Sequence, residues 1–162
     1  MKRACTKHYI AFLLILLVPI LSFSGCDNTS ANSKTLKNGY YIAEMKDFDS
    51  YGWKEFVSIY VNNGHIVTVE YNAKNLSGFI KSWDPAYMRD MNAVDHTYPN
   101  KYTREYAFAL LNFQDIDRID VVSGATHSYH TFILLATEVI EQARTGNKQI
   151  ALVEQPETAN RP

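Results

Sequence analysis

Residues 55–71 read EFVSIYV-NNG-HIVTVEY, two runs of alternating apolar side chains around the break Asn62-Asn63-Gly64. β-Branched and aromatic residues fill most of both runs, and such side chains suit a pleated, half-buried surface. A three-residue loop, with Gly64 in the left-handed region, pairs 61 with 65, 59 with 67 and 57 with 69. That register gathers Val57, Ile59, Val61, Val67 and Val69 on one face. Ser58, Tyr60, Thr68 and Glu70, with Phe56 and Ile66, fall on the other. A two-residue loop mixes the faces, because a slip of one residue turns every side chain over. The hairpin predicts an antiparallel sheet with one buried side.

Outward from it, Gly39–Met45 (GYYIAEM) alternates enough for a first strand, and residues 72–81 (NAKNLSGFIK) read as a loop or a short third strand. Asp84 before Pro85 is the pattern of a helix cap with proline at the first helical position, and Tyr87, Met88 and Met91 follow at helical spacing. A second helix is predicted from about Tyr102 to Phe113, and a short strand over Ile119–Val122. The last helix is predicted from about Ser128 to Thr145, with Phe132, Ala136, Val139, Ile140 and Ala143 on its apolar stripe and Gly146 ending it. Early strands and late helices define an α+β fold: one domain, an antiparallel sheet containing a β-hairpin, helices packed on one face.

The chain of 162 residues opens with Lys2, Arg3 and Lys7 and no acid, then runs YIAFLLILLVPIL from Tyr9 to Leu21. About 13 apolar residues are short for a bilayer, which takes ~20, and fit a secretory leader. Phe23-Ser24-Gly25-Cys26 before polar Asp27-Asn28-Thr29-Ser30 resembles the lipobox of bacterial lipoproteins, with Phe23 where an aliphatic residue is usual. The resemblance implies lipidation of Cys26 and a membrane partner. The expected organisation is a leader over 1–25, a lipid-anchored polar tether over 26–37, the folded domain over 38–148 and a flexible tail over 149–162. Loss of Cys5 with the leader leaves Cys26 alone, so no internal disulfide is available. The mature chain has 13 basic and 17 acidic side chains, a net charge of −4, and no basic stripe. Nucleic acid is therefore not an expected partner.

Between the last predicted strand and the last helix lies Asp120 to His130, DVVSGATHSYH. A helix N-terminus presents unpaired N–H groups and partial positive charge, which favour an anion such as phosphate. Gly124 and Ala125 keep side chains out of a close backbone approach, while Ser123 and Thr126 offer hydroxyls. Asp120 opposes a free phosphate by charge. On these grounds an anion cradle and a plain cap-and-turn stand equal. His127 and His130 lie three apart, but no third ligand is suitably spaced, and no metal is expected. Trp53 and Trp83 are read as core or rim residues, and Gly78, Lys81 and Ser82 as a solvated loop.

Asp120, Ser123, Gly124, Ala125 and Thr126 together resemble the flavinylation motif of the FMN-binding domain family, D-x-x-S/T-G-A-T/S. With average residue usage, a chance match in a chain of this length arises roughly once in a thousand. The runs Gly39-Tyr40-Tyr41, Phe48 to Lys54 and Val122 to Ser128 are similar to the small lipoproteins of that family sometimes called major membrane immunogens. The resemblance covers nearly all of 38–146 and implies FMN joined to Thr126 by a phosphoester, with His127 and Ser128 beside the phosphate. It implies a flavin transferase as the modifying partner, redox proteins or quinone-linked complexes as electron partners, and a place on the extracytoplasmic face of the bacterial cytoplasmic membrane. An electron carrier is the expected role, with no catalytic residues of its own. The alternatives are a non-covalent flavin- or ligand-binding module and a cofactor-free interaction lipoprotein.

Overall fold

The computed structural model describes residues 35–154. The predicted leader, the expected lipidation site Cys26, most of the tether and the end of the tail lie outside the described residues.

Three strands open the fold: β1 (Gly39–Met45), β2 (Lys54–Asn62) and β3 (His65–Lys74). β2 pairs antiparallel with both neighbours. The hairpin differs from the predicted register. Asn62 pairs with His65, so the loop is the two residues Asn63 and Gly64, at φ of 51° and 77°. Two positive φ values in succession define the type I′ turn that matches strand twist. The mixing of faces that argued against this loop is removed by a bulge. Val61 faces Ile66 but Tyr60 faces Thr68, which leaves Val67 as the extra residue. Ile66 is accordingly buried and Val67 is 43% exposed, the reverse of the expected arrangement. Val57, Ile59 and Val61 do line the buried face.

After β3 the chain makes a 3-10 turn at Lys81–Trp83 and enters α1 (Pro85–Asp95), α2 (Pro99–Phe113) and α3 (Thr126–Thr145). Asp84 caps α1 as predicted, accepting from the Ala86 and Tyr87 N–H groups at 3.0 Å each. Gly146 closes α3 in the left-handed region at φ 79°. The expected strand at 119–122 does not form. Side chains take its backbone groups instead: Tyr129 donates to the Ile119 carbonyl at 3.1 Å, and the Val122 N–H donates to Tyr106 Oη at 3.0 Å. A strand appears further on, within the stretch read as tail. β4 (Ala151–Val153) runs parallel to β1, giving a mixed sheet of order β3-β2-β1-β4. Three residues carry too little periodicity to announce a strand in sequence.

α3 lies over β1 and β2, and α2 over β3. Their apolar stripes (Tyr102, Tyr106 and Leu110; Phe132, Leu135 and Val139) meet Tyr41, Val57, Ile59 and Tyr71 from the sheet. Among the described residues no helix is long and apolar enough to cross a membrane.

The edge of β3 is closed by one side chain. Gln114, just past α2 at φ 54°, accepts from the Ile66 N–H at 2.8 Å and donates to the Ile66 carbonyl at 2.9 Å. It replaces a neighbouring strand at the point where the bulge begins. Gln114→Ala leaves a half-sheltered N–H and C=O unpaired and is expected to cost about 1–3 kcal/mol in urea unfolding. An unchanged midpoint would show that water serves Ile66 equally well.

Candidate functional site

Residues 119–130 form a loop and helix start held from the inside. The Ala125 N–H donates to the Val122 carbonyl at 3.0 Å, closing a turn with Ser123 and Gly124 at its corners. Gly124 sits at φ 78°, the left-handed value that glycine adopts freely at the third position of such a turn. A Cβ there would collide with the Asp95 carbonyl oxygen and lie 3.0 Å from Thr97 Cγ2. Glycine thus answers two demands at once, backbone conformation and the close approach of the α1–α2 junction. Tyr106 clamps the turn from below, accepting from Val122 N–H and donating to the Ala125 carbonyl at 3.3 Å. Burial pushes its phenol pKa up, against the opposing pull of the Val122 N–H.

The outer side of the loop is open. Ala125 occupies the N-cap of α3 and has no side-chain oxygen, so no side chain caps this 20-residue helix. Serine, threonine, aspartate or asparagine is the usual residue there. Thr126 is the first helical residue and is exposed, as are Asp120, Ser123 and His127. Ser128 is different: it is buried, with its side chain beside the Tyr102 phenol. His130 is exposed and packs edge-on to Tyr129 at 5.4 Å. No cluster of metal-ligating side chains occurs among the described residues. Asp120 and Ser123 line one wall of a surface groove of about 450 Å³, with Lys101, Glu105, Tyr106 and Phe113 of α2 opposite.

Beneath the first turn of α3 lies a polar cluster that the sequence did not announce. Glu55 and Lys81 are both buried. Tyr71 Oη lies 2.8 Å from Glu55 Oε1 and 2.9 Å from the Ser128 carbonyl oxygen. The Lys81 ammonium sits 4.8 Å from the Tyr87 ring centre and 5.8 Å from that of Trp53. Tyr102 is pushed up to about 12 by burial, with Lys81 pulling the other way. Lys81 and Ser82 were read as part of a solvated loop. Instead Ser82 Oγ accepts from Asn72 Nδ2 at 2.8 Å inside the fold. Trp53 is buried and edge-on to Tyr87, whereas Trp83 is 66% exposed. One signal for Glu55 was legible: it shares the period-two register of buried Val57, Ile59 and Val61.

Comparison with known proteins finds relatives that cover most of the chain. A 15 kDa lipoprotein of Treponema pallidum is 38% identical over 115 residues, 71% of this chain and 82% of the relative. The crystal structure of the CPE2226 protein from Clostridium perfringens superposes with a TM-score of 0.72 at 34% identity, covering 75% of this chain and 99% of that one. No family model matches the chain.

Two substitutions test the build of the loop. Tyr106→Phe keeps the ring against Phe132 but strands the Val122 N–H, with an expected loss of about 1–3 kcal/mol and faster hydrogen exchange at Val122. Gly124→Ala is expected to lose at least as much, ~1–3 kcal/mol, in thermal unfolding, since both φ and the Asp95 carbonyl oppose it. A Gly124→Ala protein as stable as the wild type would mean that the loop relaxes without strain.

Proposed function

The chain belongs to the family of the 15 kDa lipoprotein of Treponema pallidum, and from that premise we propose that it is a lipid-anchored carrier of FMN joined covalently to Thr126. The observation that carries the reading is the flavinylation motif set on an exposed helix start whose N-cap, Ala125, supplies no oxygen. The residues present fit a phosphoester. Thr126 offers an exposed hydroxyl, Gly124 leaves the approach clear, and the first turn of α3 favours negative charge. The groove beside the turn is of a size usual for a small-molecule site, with Tyr106 and Phe113 in its wall.

In this reading Thr126 Oγ1 forms the bond to phosphorus by attack on an FAD donor held by a flavin transferase, losing its proton as AMP leaves. Bound FMN supplies one- or two-electron transfer; the chain supplies position, shelter and charge. Ser123, His127 and the N–H groups of the first turn would hold the phosphate oxygens. Asp120 guards the groove against free anions and is read by the transferase. Ser128, buried toward Tyr102, holds the turn from inside rather than offering a second hydroxyl to solvent. Lipid on Cys26 keeps the carrier at the extracytoplasmic face of the membrane, close to redox proteins or quinone-linked complexes. A covalent tether suits that side, where a dissociated cofactor is lost.

Intact mass and visible spectrum of the full chain, co-expressed with a flavin transferase, test the proposal against Thr126→Val. The wild type is expected to turn yellow and gain the mass of FMN less one water, and the variant to gain nothing. Flavin retained non-covalently by both proteins would mark a ligand-binding module. Two bare proteins would leave a cofactor-free interaction lipoprotein.

A further inference from the structure

Glu55 occupies a position on β2 whose neighbours on the same face are all apolar and buried, and its side chain is buried with them. A carboxylate at that depth is normally ion-paired. Among the described residues, no lysine, arginine or histidine nitrogen comes within 4.0 Å of it. The groups that face it come from every packed element: Tyr71 on β3, Lys81 on the 3-10 turn, Tyr102 on α2, and Thr131 with His127 on α3. Tyr87 on α1 stands behind Lys81, whose ammonium lies over the Tyr87 and Trp53 rings.

The hydroxyl protons around the carboxyl are fewer than the oxygens that share them. The Tyr71 hydroxyl has one proton but two oxygens within bonding distance, Glu55 Oε1 at 2.8 Å and the Ser128 carbonyl at 2.9 Å. The Thr131 hydroxyl likewise has one proton to share between the His127 carbonyl at 3.4 Å and the Glu55 carboxyl. A charged carboxylate draws those protons from the helix carbonyls and is balanced by Lys81 only from beyond 4.0 Å. A neutral carboxylic acid removes the conflict. It donates to Tyr71 Oη, and Tyr71 donates onward to Ser128.

We propose that Glu55 holds a proton in the folded protein, and that the relay from Glu55 through Tyr71 to the Ser128 carbonyl positions the first turn of α3. Glu55 is thus a positioning residue for the turn that carries Thr126. It ties the start of β2, the end of β3 and the helix start together through two hydrogen bonds. The proposal concerns the chain without flavin and stands apart from the cofactor reading.

Burial moves the Glu55 pKa upward, against the opposing pull of Lys81, Tyr71, Thr131 and His127. The folded state therefore binds more protons than the unfolded chain at every pH between the ordinary value of 4.5 and the raised one. Stability from this group is fully present below the unfolded value and is lost as pH rises through the folded one. Glu55→Gln keeps a donor toward Tyr71 and cannot ionise, so it should remove that decline.

Infrared spectra of the full chain, made without flavin transferase, give the direct reading. The wild type at pH 7 should show the carbonyl band of a neutral carboxylic acid. That band should vanish in Glu55→Gln and shift in Tyr71→Phe, which removes the acceptor. Denaturant midpoints should show Glu55→Gln gaining on the wild type as pH rises. Absence of an acid band in the wild type at pH 7 would overturn the proposal and make Glu55 a buried carboxylate balanced by Lys81. Should Glu55→Gln fail to fold, the wild-type band and its shift in Tyr71→Phe still decide; a band that Tyr71→Phe leaves in place belongs to another acid and overturns it as well.

Discussion

A tyrosine buried in a core brings a hydroxyl that must find a partner, and the interior of this protein is built around that demand. Tyr41, Tyr71, Tyr102 and Tyr106 are each 1% exposed, so none can leave its hydroxyl to bulk water. Tyr41 donates to the Lys37 carbonyl at 2.9 Å and fixes the chain's entry into β1. The other three, with half-buried Tyr129, point their oxygens at one region, residues 119–128. The rings pack in a continuous group, Tyr106 stacked on Phe132 at 5.3 Å and Tyr71 tilted against the same ring at 5.0 Å. Hydrophobic burial thus sets where the oxygens go, and the oxygens set where the loop goes.

That arrangement explains why the 119–130 segment is irregular yet held. A loop needs partners for its backbone groups, and a strand in this place would have taken them from a neighbouring strand. Here side chains of α2 and α3 provide them, which leaves the outer surface of the turn free of structural duty. Ala125 in the N-cap and Gly124 against the Asp95 carbonyl complete the division: everything that stabilises the turn lies inside, and the hydroxyls of Ser123 and Thr126 lie outside. A phosphoester on Thr126, as proposed, would leave the inner hydrogen bonds of the turn in place.

The sheet shows the same economy at its edges. β3 is an edge strand with a bulge, and the Gln114 amide pairs with Ile66 where a further strand would otherwise lie. At the opposite edge β4 supplies three residues of parallel pairing to β1. On the solvent face Glu44 accepts from Lys54 at 3.0 Å and Lys74 at 2.6 Å, a three-strand ion network that holds the far end of the sheet in register. Edges handled in this way do not present long unpaired templates to other chains.

Much of this was legible in the residues. Period-two alternation in 55–71 announced the hairpin, and the buried set Val57, Ile59 and Val61 followed from it. Asp84 with Pro85 and the glycine at 146 marked helix ends, because capping is local chemistry that a few neighbouring residues decide. The small residues Gly124 and Ala125 ahead of an apolar helical stripe marked a turn into a helix, and no more than that on spacing alone. What the sequence could not supply depends on contacts between distant segments. The Val67 bulge lies beside Ile66, whose edge is taken by Gln114, 48 residues further on. The place of Glu55 on the buried face of β2 follows the alternation, but the burial of Lys81 beside it comes from the packing of the 3-10 turn against β3 and α2, which no local pattern encodes. The parallel strand 151–153 is a pairing of backbone with backbone, nearly indifferent to side chains. Local chemistry fixed the hairpin, the helices and several of their ends; only packing decided which polar groups were sealed inside and which hydroxyls of residues 120–130 were left to face water.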